Sequence, residues 1–451
     1  MKMPEKPKRW KTLFEEKILK NPDIFHDRAI LDLAKKYDEK YTHWDELRRK
    51  DIEEDPETVW ALMKLSRNGQ FKHVNFADVS LTYIVTNQSQ RILYLLDKNT
   101  AGLMVTDEPL KKNDMKKYVI TSLMEEAIAS SQIEGAVTTT KAAKRMLRER
   151  RKPKSQSEQM IVNDFLTMQR IKEMQDAPLT IQTILELHKL ITHDTLDDPT
   201  FEGRFRIDDE VVVADLFEAE KVYHQPPSHL KIHEYMGNLC KFANEDTDDS
   251  FQHPLVKAII IHYVIGYVHP FVDGNGRLAR ALMYWYALKC NYWLFEHMAI
   301  SKIIKQSKGR YNMSYLHSET DDNDITYFIN FNLWAMERAL DNTKQFIKRQ
   351  QIEQKEAKKY ITAHPELNYR QAEMLKVMIE HKGEPMTISE MMSRFNIVHQ
   401  TARTDLQRLT SLGLLTMRKR GRTMVFTYVG DQNHNDIQDD NKQTDLVKYR
   451  E

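Results

Sequence analysis

Twelve residues, His269-Pro-Phe-Val-Asp-Gly-Asn-Gly-Arg-Leu-Ala-Arg280, bring a base, a carboxylate, two glycines and two arginines into a few turns of backbone. An imidazole titrates near neutrality, so His269 can accept the proton of a hydroxyl nucleophile. Asp273 offers the hard oxygen that Mg²⁺ prefers, an ion that usually arrives bound to phosphates. Gly274 and Gly276 let the backbone turn tightly and approach a ligand, so that successive N–H groups face an anion. The apolar stripe Leu278, Ala279, Leu282, Met283 and Tyr286 predicts a helix from Gly276 to Leu288, whose N-terminus adds partial positive charge at the same spot. Arg277 and Arg280, three apart, share a helical face and are expected to turn their forked donors toward the loop. Cations in a first helical turn oppose the dipole at about 0.3–1 kcal/mol each, which makes sense where a polyanion offsets both. Alone, a His-Pro or a Gly-Asn-Gly is usually a plain turn. Together the pieces point to nucleotide phosphates.

At these positions the chain resembles the Fic family, whose motif His-Pro-Phe-x-Asp/Glu-Gly-Asn-Gly-Arg-x-x-Arg is matched at every defined position. The resemblance implies transfer of AMP from ATP to a Ser, Thr or Tyr hydroxyl of a target protein. It implies His269 as general base and Asp273 as the Mg²⁺ ligand. Gly274, Asn275 and Gly276 would form an anion hole around the α- and β-phosphates, and Arg277 and Arg280 would hold the outer phosphates. Leu278 and Ala279 fall within the same nucleotide-binding stretch, and Tyr311, with Tyr315, would border the adenine. In related Doc-type kinases a lysine replaces the second glycine and the nucleotide lies reversed; Gly276 implies the AMP-transferring orientation.

A second motif, Ser130-Ser-Gln-Ile-Glu134-Gly135, matches the family's inhibitory pattern Ser/Thr-x-x-x-Glu-Gly/Asn. Read from the residues, Lys116 to Ile133 is a helix with apolar positions Val119, Ile120, Leu123, Met124, Ala127 and Ile128, and Gly135 is its left-handed terminator. Glu134 then sits at a helix C-terminus, where the dipole disfavours a carboxylate and an arginine partner would compensate it. The resemblance implies that this partner is Arg280, which would take the arginine away from the γ-phosphate.

The elements that must position these groups are mostly helical. Thirteen glycines and 14 prolines in 451 residues suit long helices and few hairpins. The expected fold is mainly α: a Fic-type helical core with a short β-hairpin flap, followed by a winged helix-turn-helix domain. The segments are a helical extension (1–110), the core with its inhibitory helix (111–350), the winged helix (351–430) and a disordered polar tail (431–451). Within the extension, Pro56 to Arg67 and Phe76 to Asp97 read as helices. Pro254 to Tyr267 is apolar on nearly all faces and reads as the central buried helix. Glu210 to Ala214 and Lys221 to Tyr223 are β-prone stretches after Gly203-Arg-Phe-Arg206; the family's equivalent is a flap that aligns the target through its strand edge. A long polar helix from Ile325 to Lys358 leads to three helices, Arg370 to His381, Thr387 to Phe395 and His399 to Leu412. Two strands follow around Arg418-Lys-Arg-Gly-Arg422, with Arg403 and Arg408 available for phosphate contact.

Lys+Arg 67 against Asp+Glu 66 gives no global pull toward nucleic acid or membrane. Cys240 and Cys290 lie outside any metal spacing and fit a reduced, cytoplasmic setting. Met1 to Lys11 has no apolar core of a signal peptide, and Leu255 to Val268 is interrupted by Lys257 and His262 and falls short of the ~20 residues of a membrane span. Three functions remain open on this reading: a self-inhibited protein adenylyltransferase, a DNA-binding regulator whose core is vestigial or senses nucleotide, and an enzyme that removes AMP at the same site. The partners expected are a protein with a modifiable hydroxyl, DNA through the winged helix, no membrane, and a second copy of the chain in a homodimer.

Overall fold

A computed structural model of the chain describes residues 2–101, 112–214, 221–245, 251–363, 366–381, 383–395, 397–421 and 423–429. The expected disordered tail, the tip of the expected flap (215–220) and Arg422 lie outside these residues. Contacts divide the chain into one unit of residues 1–144 and 153–341 and a second of residues 145–152 and 342–451.

The first unit is built on the helix Pro254–Val268. Proline at its first turn needs no N–H partner, and the His253 side chain accepts from the Leu255 amide at 3.2 Å. Ile259, Ile260, Ile261 and Ile265 are wholly buried, each stabilising the fold by about 1.5–3 kcal/mol relative to exposure. Lys257 survives here because its Nζ reaches the Glu245 carbonyl at 2.9 Å. The chain then turns through the 269–274 loop into the helix Asn275–Lys289, which packs along the central helix with Leu278, Leu282 and Trp285 in the same core. The helices Lys112–Ile133, Gln156–Glu173, Ile181–Thr192 and Lys308–Thr320 belong to this unit.

The extension departs from the helical expectation. Lys72–Phe76 and Val79–Tyr83 form an antiparallel hairpin, and a helix begins only at Asn87, where the Thr86 hydroxyl caps the Ser89 amide at 3.1 Å. Val74, Phe76, Leu81 and Tyr83 alternate along the strands and are buried. A period of two thus prevailed over the helical spacing read across Phe76 to Asp97. The strand edge is not left open: Thr82 donates to Asn323 O at 3.0 Å and accepts from Ile325 N at 2.8 Å. Upstream, Lys64 pairs with Asp321 at 2.9 Å and the Tyr41 hydroxyl donates to Asp324 at 2.6 Å.

In the second unit the helices Tyr369–Glu380, Ile388–Phe395 and His399–Ser411 pack around Leu375, Leu406, Leu409 and Phe426. Asn368 and Gln371 form a reciprocal capping box at the first helix. The strands Leu415–Arg420 and Thr423–Tyr428 pair as expected, and a short strand that the sequence reading lacked, Met386–Thr387, adds to the free edge of the second. Arg418, Lys419 and Arg420 are exposed on the wing, as is Arg408 on the third helix.

Candidate active site

His269 ends the central helix in the left-handed region, φ +47° and ψ +58°. A β-carbon there costs about 1–2 kcal/mol, so the conformation persists only where neighbours over-determine it. Here His269 N donates to Ile265 O at 3.0 Å, and buried Arg206 donates from Nε to His269 O at 3.0 Å and from its own amide to Pro270 O at 2.9 Å. The imidazole Nδ1 lies 3.2 Å from Gly266 O. A carbonyl only accepts, so Nδ1 carries the hydrogen and Nε2 keeps its lone pair, the tautomer of a general base. Burial lowers the His269 pKa from the ordinary 6.5, with His224 acting in the same direction and the Gly266 carbonyl and Glu134 opposing it.

The loop after His269 is held from inside. The Asn275 side chain accepts from Phe271 N at 3.0 Å and donates to Phe271 O at 2.8 Å, so the amide closes the turn. Gly274, at φ +83°, has no room for a β-carbon, which would lie 2.8 Å from the Thr192 methyl. His188 stacks on Phe271 with ring centroids 3.6 Å apart, takes the Gly203 amide on Nδ1 at 3.1 Å and reaches Asp273 O from Nε2 at 2.9 Å. Burial pushes its pKa down to about 4, which keeps it neutral and able to do both. The N–H groups of Asn275, Gly276 and Arg277 begin a helix and have no intrahelical carbonyl to meet. These donors point out of the helix start at the place where the sequence leads one to expect an anion.

The two arginines part company. Arg277 is buried, gives Nη1 to Ile191 O at 3.0 Å and Nη2 to Asp273 Oδ2 at 3.3 Å, and lines a water-sized internal void with Arg280. It does not face the loop freely as the helical spacing suggested. Arg280 donates from Nε to Ser130 Oγ at 3.0 Å and from Nη2 to Ser130 O at 3.1 Å, and its Nη2 lies 2.9 Å from Glu134 Oε1. The helix Lys112–Ile133, which carries Ser130 and ends just before Glu134, is anchored further. Ser131 Oγ donates to buried Asp164 at 2.8 Å, and Lys308 Nζ meets the Ile133 carbonyl at 2.5 Å. Gly135 leaves the helix at φ +102°, the terminator read from the sequence.

Glu134, Gly276, His269, Tyr311 and the hairpin residues Tyr223 and His224 line one cleft of about 700 Å³, a volume within the range of small-ligand sites. A β-carbon built on Gly276 would collide with Glu134 Oε1, so the carboxylate presses on the very glycine that a Doc-type lysine would replace. Tyr311 borders the cleft with its hydroxyl 2.9 Å from His262 Nε2. Leu278 and Ala279 are fully buried in the core, and their side chains do not line the cleft. Asp273 exposes 56% of its side chain, with Oδ1 accepting from Gly274 N at 2.6 Å; a carboxylate half open to solvent fits an ion that keeps most of its water and phosphate ligands. The strands Val213–Ala214 and Val222–His224 pair antiparallel beside the cleft. His188, Arg206, His224 and Glu319 were not singled out from sequence. Of these only Arg206 had a signal, its place in Gly203-Arg-Phe-Arg206.

The model of the Fic/DOC family matches residues 178–287, and that of the DeoR-like helix-turn-helix domain matches residues 370–427. The chain therefore carries a Fic domain and a C-terminal DeoR-like helix-turn-helix domain. It is similar to protein adenylyltransferase Fic of Drosophila ananassae, 29% identical over 168 residues, which are 37% of this chain and 30% of the relative. It is likewise similar to protein adenylyltransferase Fic of Nematostella vectensis, 28% identical over 36% of this chain and 34% of the relative. The match thus spans about a third of these relatives' length. A solved single-residue variant of Fic-1 from C. elegans shares the fold, with a TM-score of 0.51 at 15% identity over 76% of this chain and 89% of that one. No helix among the described residues is long and apolar enough to cross a membrane.

Proposed function

We propose that the protein is a self-inhibited adenylyltransferase that moves AMP from ATP to a hydroxyl of a target protein. The observation that carries this reading is the meeting, in one cleft, of the His269 Nε2 lone pair, the helix N-terminus at Gly276 and the Glu134 carboxylate seated on Arg280. The target oxygen attacks the α-phosphorus as its proton passes to His269 Nε2; the bond to the α–β bridging oxygen breaks and pyrophosphate leaves. The N–H groups at the start of the Asn275–Lys289 helix hold phosphate oxygens, and Asp273 would hold Mg²⁺, which offsets phosphate charge when bound. Arg280 takes the γ-phosphate once Glu134 leaves it. The test is incubation with labelled nucleotides and Mg²⁺, with the label mapped by mass spectrometry; label that follows γ-phosphate in place of AMP would overturn the reading.

Because burial holds the His269 pKa below 6.5, the base is neutral at pH 7. Transfer should be flat through neutrality and fall only as the pH drops below 6.5, where the protonated imidazole no longer accepts. A rate profile from about pH 5 to pH 8 at saturating ATP checks this; a half-maximal rate above pH 7 would show that the base is not His269 as it stands here.

The exposed basic wing favours a second role, DNA contact by the last domain. Arg418, Lys419 and Arg420 are expected to neutralise phosphates, so log affinity should fall with log salt at a slope of about −0.9 for each phosphate neutralised. A titration of the full chain with duplex DNA at increasing salt measures the slope; absence of binding at low salt assigns the domain to protein contacts.

A further inference from the structure

The root of the cleft-side hairpin is fastened to the catalytic loop by side chains that the motif does not contain. His224 ends the strand Val222–His224, pairs with Val213 across the hairpin and is only 8% exposed. Its Nε2 lies 2.7 Å from Tyr267 O, and its Nδ1 lies 2.7 Å from Glu319 Oε2. A carbonyl accepts and never donates, so Nε2 carries a hydrogen and the ring orientation is set. Three elements meet at this one ring. They are the hairpin, the last turn of the central helix two residues before His269, and the Lys308–Thr320 helix that brings Tyr311 to the cleft. From the opposite flank Arg206 holds His269 O and Pro270 O, and spends its remaining donors on Asp208 O, Asp209 and Pro227 O. The hairpin root is thus gripped on both sides of a left-handed histidine that cannot keep its backbone unaided.

We propose that His224 and Glu319 are positioning residues for the transfer reaction: they mount the hairpin and the His269 loop on the helix that lines the nucleotide site, so that base, target strand and nucleotide keep one registration. This rests on the adenylyltransferase reading above. The need is geometric. A displacement of about 1 Å in a reacting group costs on the order of 10²-fold in rate, and His224 ties the hairpin's second strand to the helix turn that leads into the His269 loop. Both residues line the cleft, but the polar atoms of His224 are spent on Tyr267 O and Glu319 and not on the Asn275–Arg277 amides, so phosphate binding by those amides should not depend on the pair.

The experiment uses the full chain carrying E134G, in which the competing carboxylate is gone. At saturating ATP and Mg²⁺, His224→Ala should lower self-labelling with AMP by about 10²-fold, while the dissociation constant for ATP and the melting temperature stay as in E134G alone. Glu319→Ala should lower labelling less. The double variant should be no slower than His224→Ala, because the second residue acts only through the first. Hydrogen exchange should quicken together at residues 222–225 and 265–271 in His224→Ala. Labelling at the E134G rate, parallel loss of ATP affinity, or additive effects of the two alanines would each overturn the positioning role. If E134G itself transfers no AMP, the adenylyltransferase reading fails, and exchange still decides the mount: unchanged exchange at the two segments overturns it, and coupled quickening upholds it.

Discussion

Replacing Glu134 by glycine is expected to raise AMP transfer by about tenfold to a hundredfold, seen first as self-modification. The estimate comes from the contact that is lost. Glu134 Oε1 sits 2.9 Å from Arg280 Nη2, and a hydrogen bond to a charged group contributes about 1.5–3 kcal/mol. Arg280 is buried and keeps Ser130 on two of its donors, so removing the carboxylate leaves the guanidinium in place and ready for a phosphate. The glycine also clears the space over Gly276, into which Glu134 now presses. Glu134→Asp should fall between the two, since a shorter side chain reaches Arg280 poorly. Arg280→Ala should not reproduce the gain, because it removes the phosphate contact along with the latch, and the double variant should stay weak. A self-labelling assay across these four variants at saturating ATP and Mg²⁺ measures all of this. Equal rates for E134G and the unmodified chain would sink the inhibitory reading and leave Glu134 as a group that positions water for the reverse reaction.

His269→Ala should remove most of the transfer that E134G releases, by about 10²–10⁴-fold, with nucleotide binding largely intact. His269 lines the cleft, its Nδ1 is already spent on Gly266 O, and Nε2 keeps its lone pair. The phosphate cradle is made of backbone N–H groups at the start of the Asn275–Lys289 helix, which the substitution does not touch. Alanine at 269 would also keep the left-handed backbone with no ring to hold it, so some loss of loop order is expected. Comparing ATP affinity with labelling rate in the E134G background separates the two: affinity retained with the rate lost assigns the base, whereas both lost together assigns a structural role. Transfer at the E134G rate would remove His269 from the chemistry.

Much of the site was legible in the chain itself because its parts lie close in sequence. The run from His269 to Arg280 needs no tertiary knowledge to be read as base, carboxylate and anion cradle, since glycine conformational freedom and helix-end charge are local properties. The apolar periodicities of Pro254 to Tyr267 and His399 to Leu412 likewise predict the helices found at Pro254–Val268 and His399–Ser411. The stretch Phe76 to Asp97 reads as one helix because a short apolar run fits both periods; only the docking of Thr82 on Asn323 and Ile325 settles its first part, Val79–Tyr83, as strand, while Asn87–Leu96 is helix. Tertiary structure alone decided the direction of Arg277, whereas the Glu134 partner of Arg280 was already implied by the inhibitory motif. Helical spacing put Arg277 and Arg280 on one face, but the distant carbonyl of Ile191 claims the first, and Ser130 with Glu134 claims the second. The same holds for His188, Arg206 and His224, whose partners stand 85, 63 and 43 residues away along the chain. No periodicity or motif encodes these three contacts. They exist because the strained 269–274 loop has to be held by backbone and side-chain donors from elsewhere, and only the packed fold brings those donors to it.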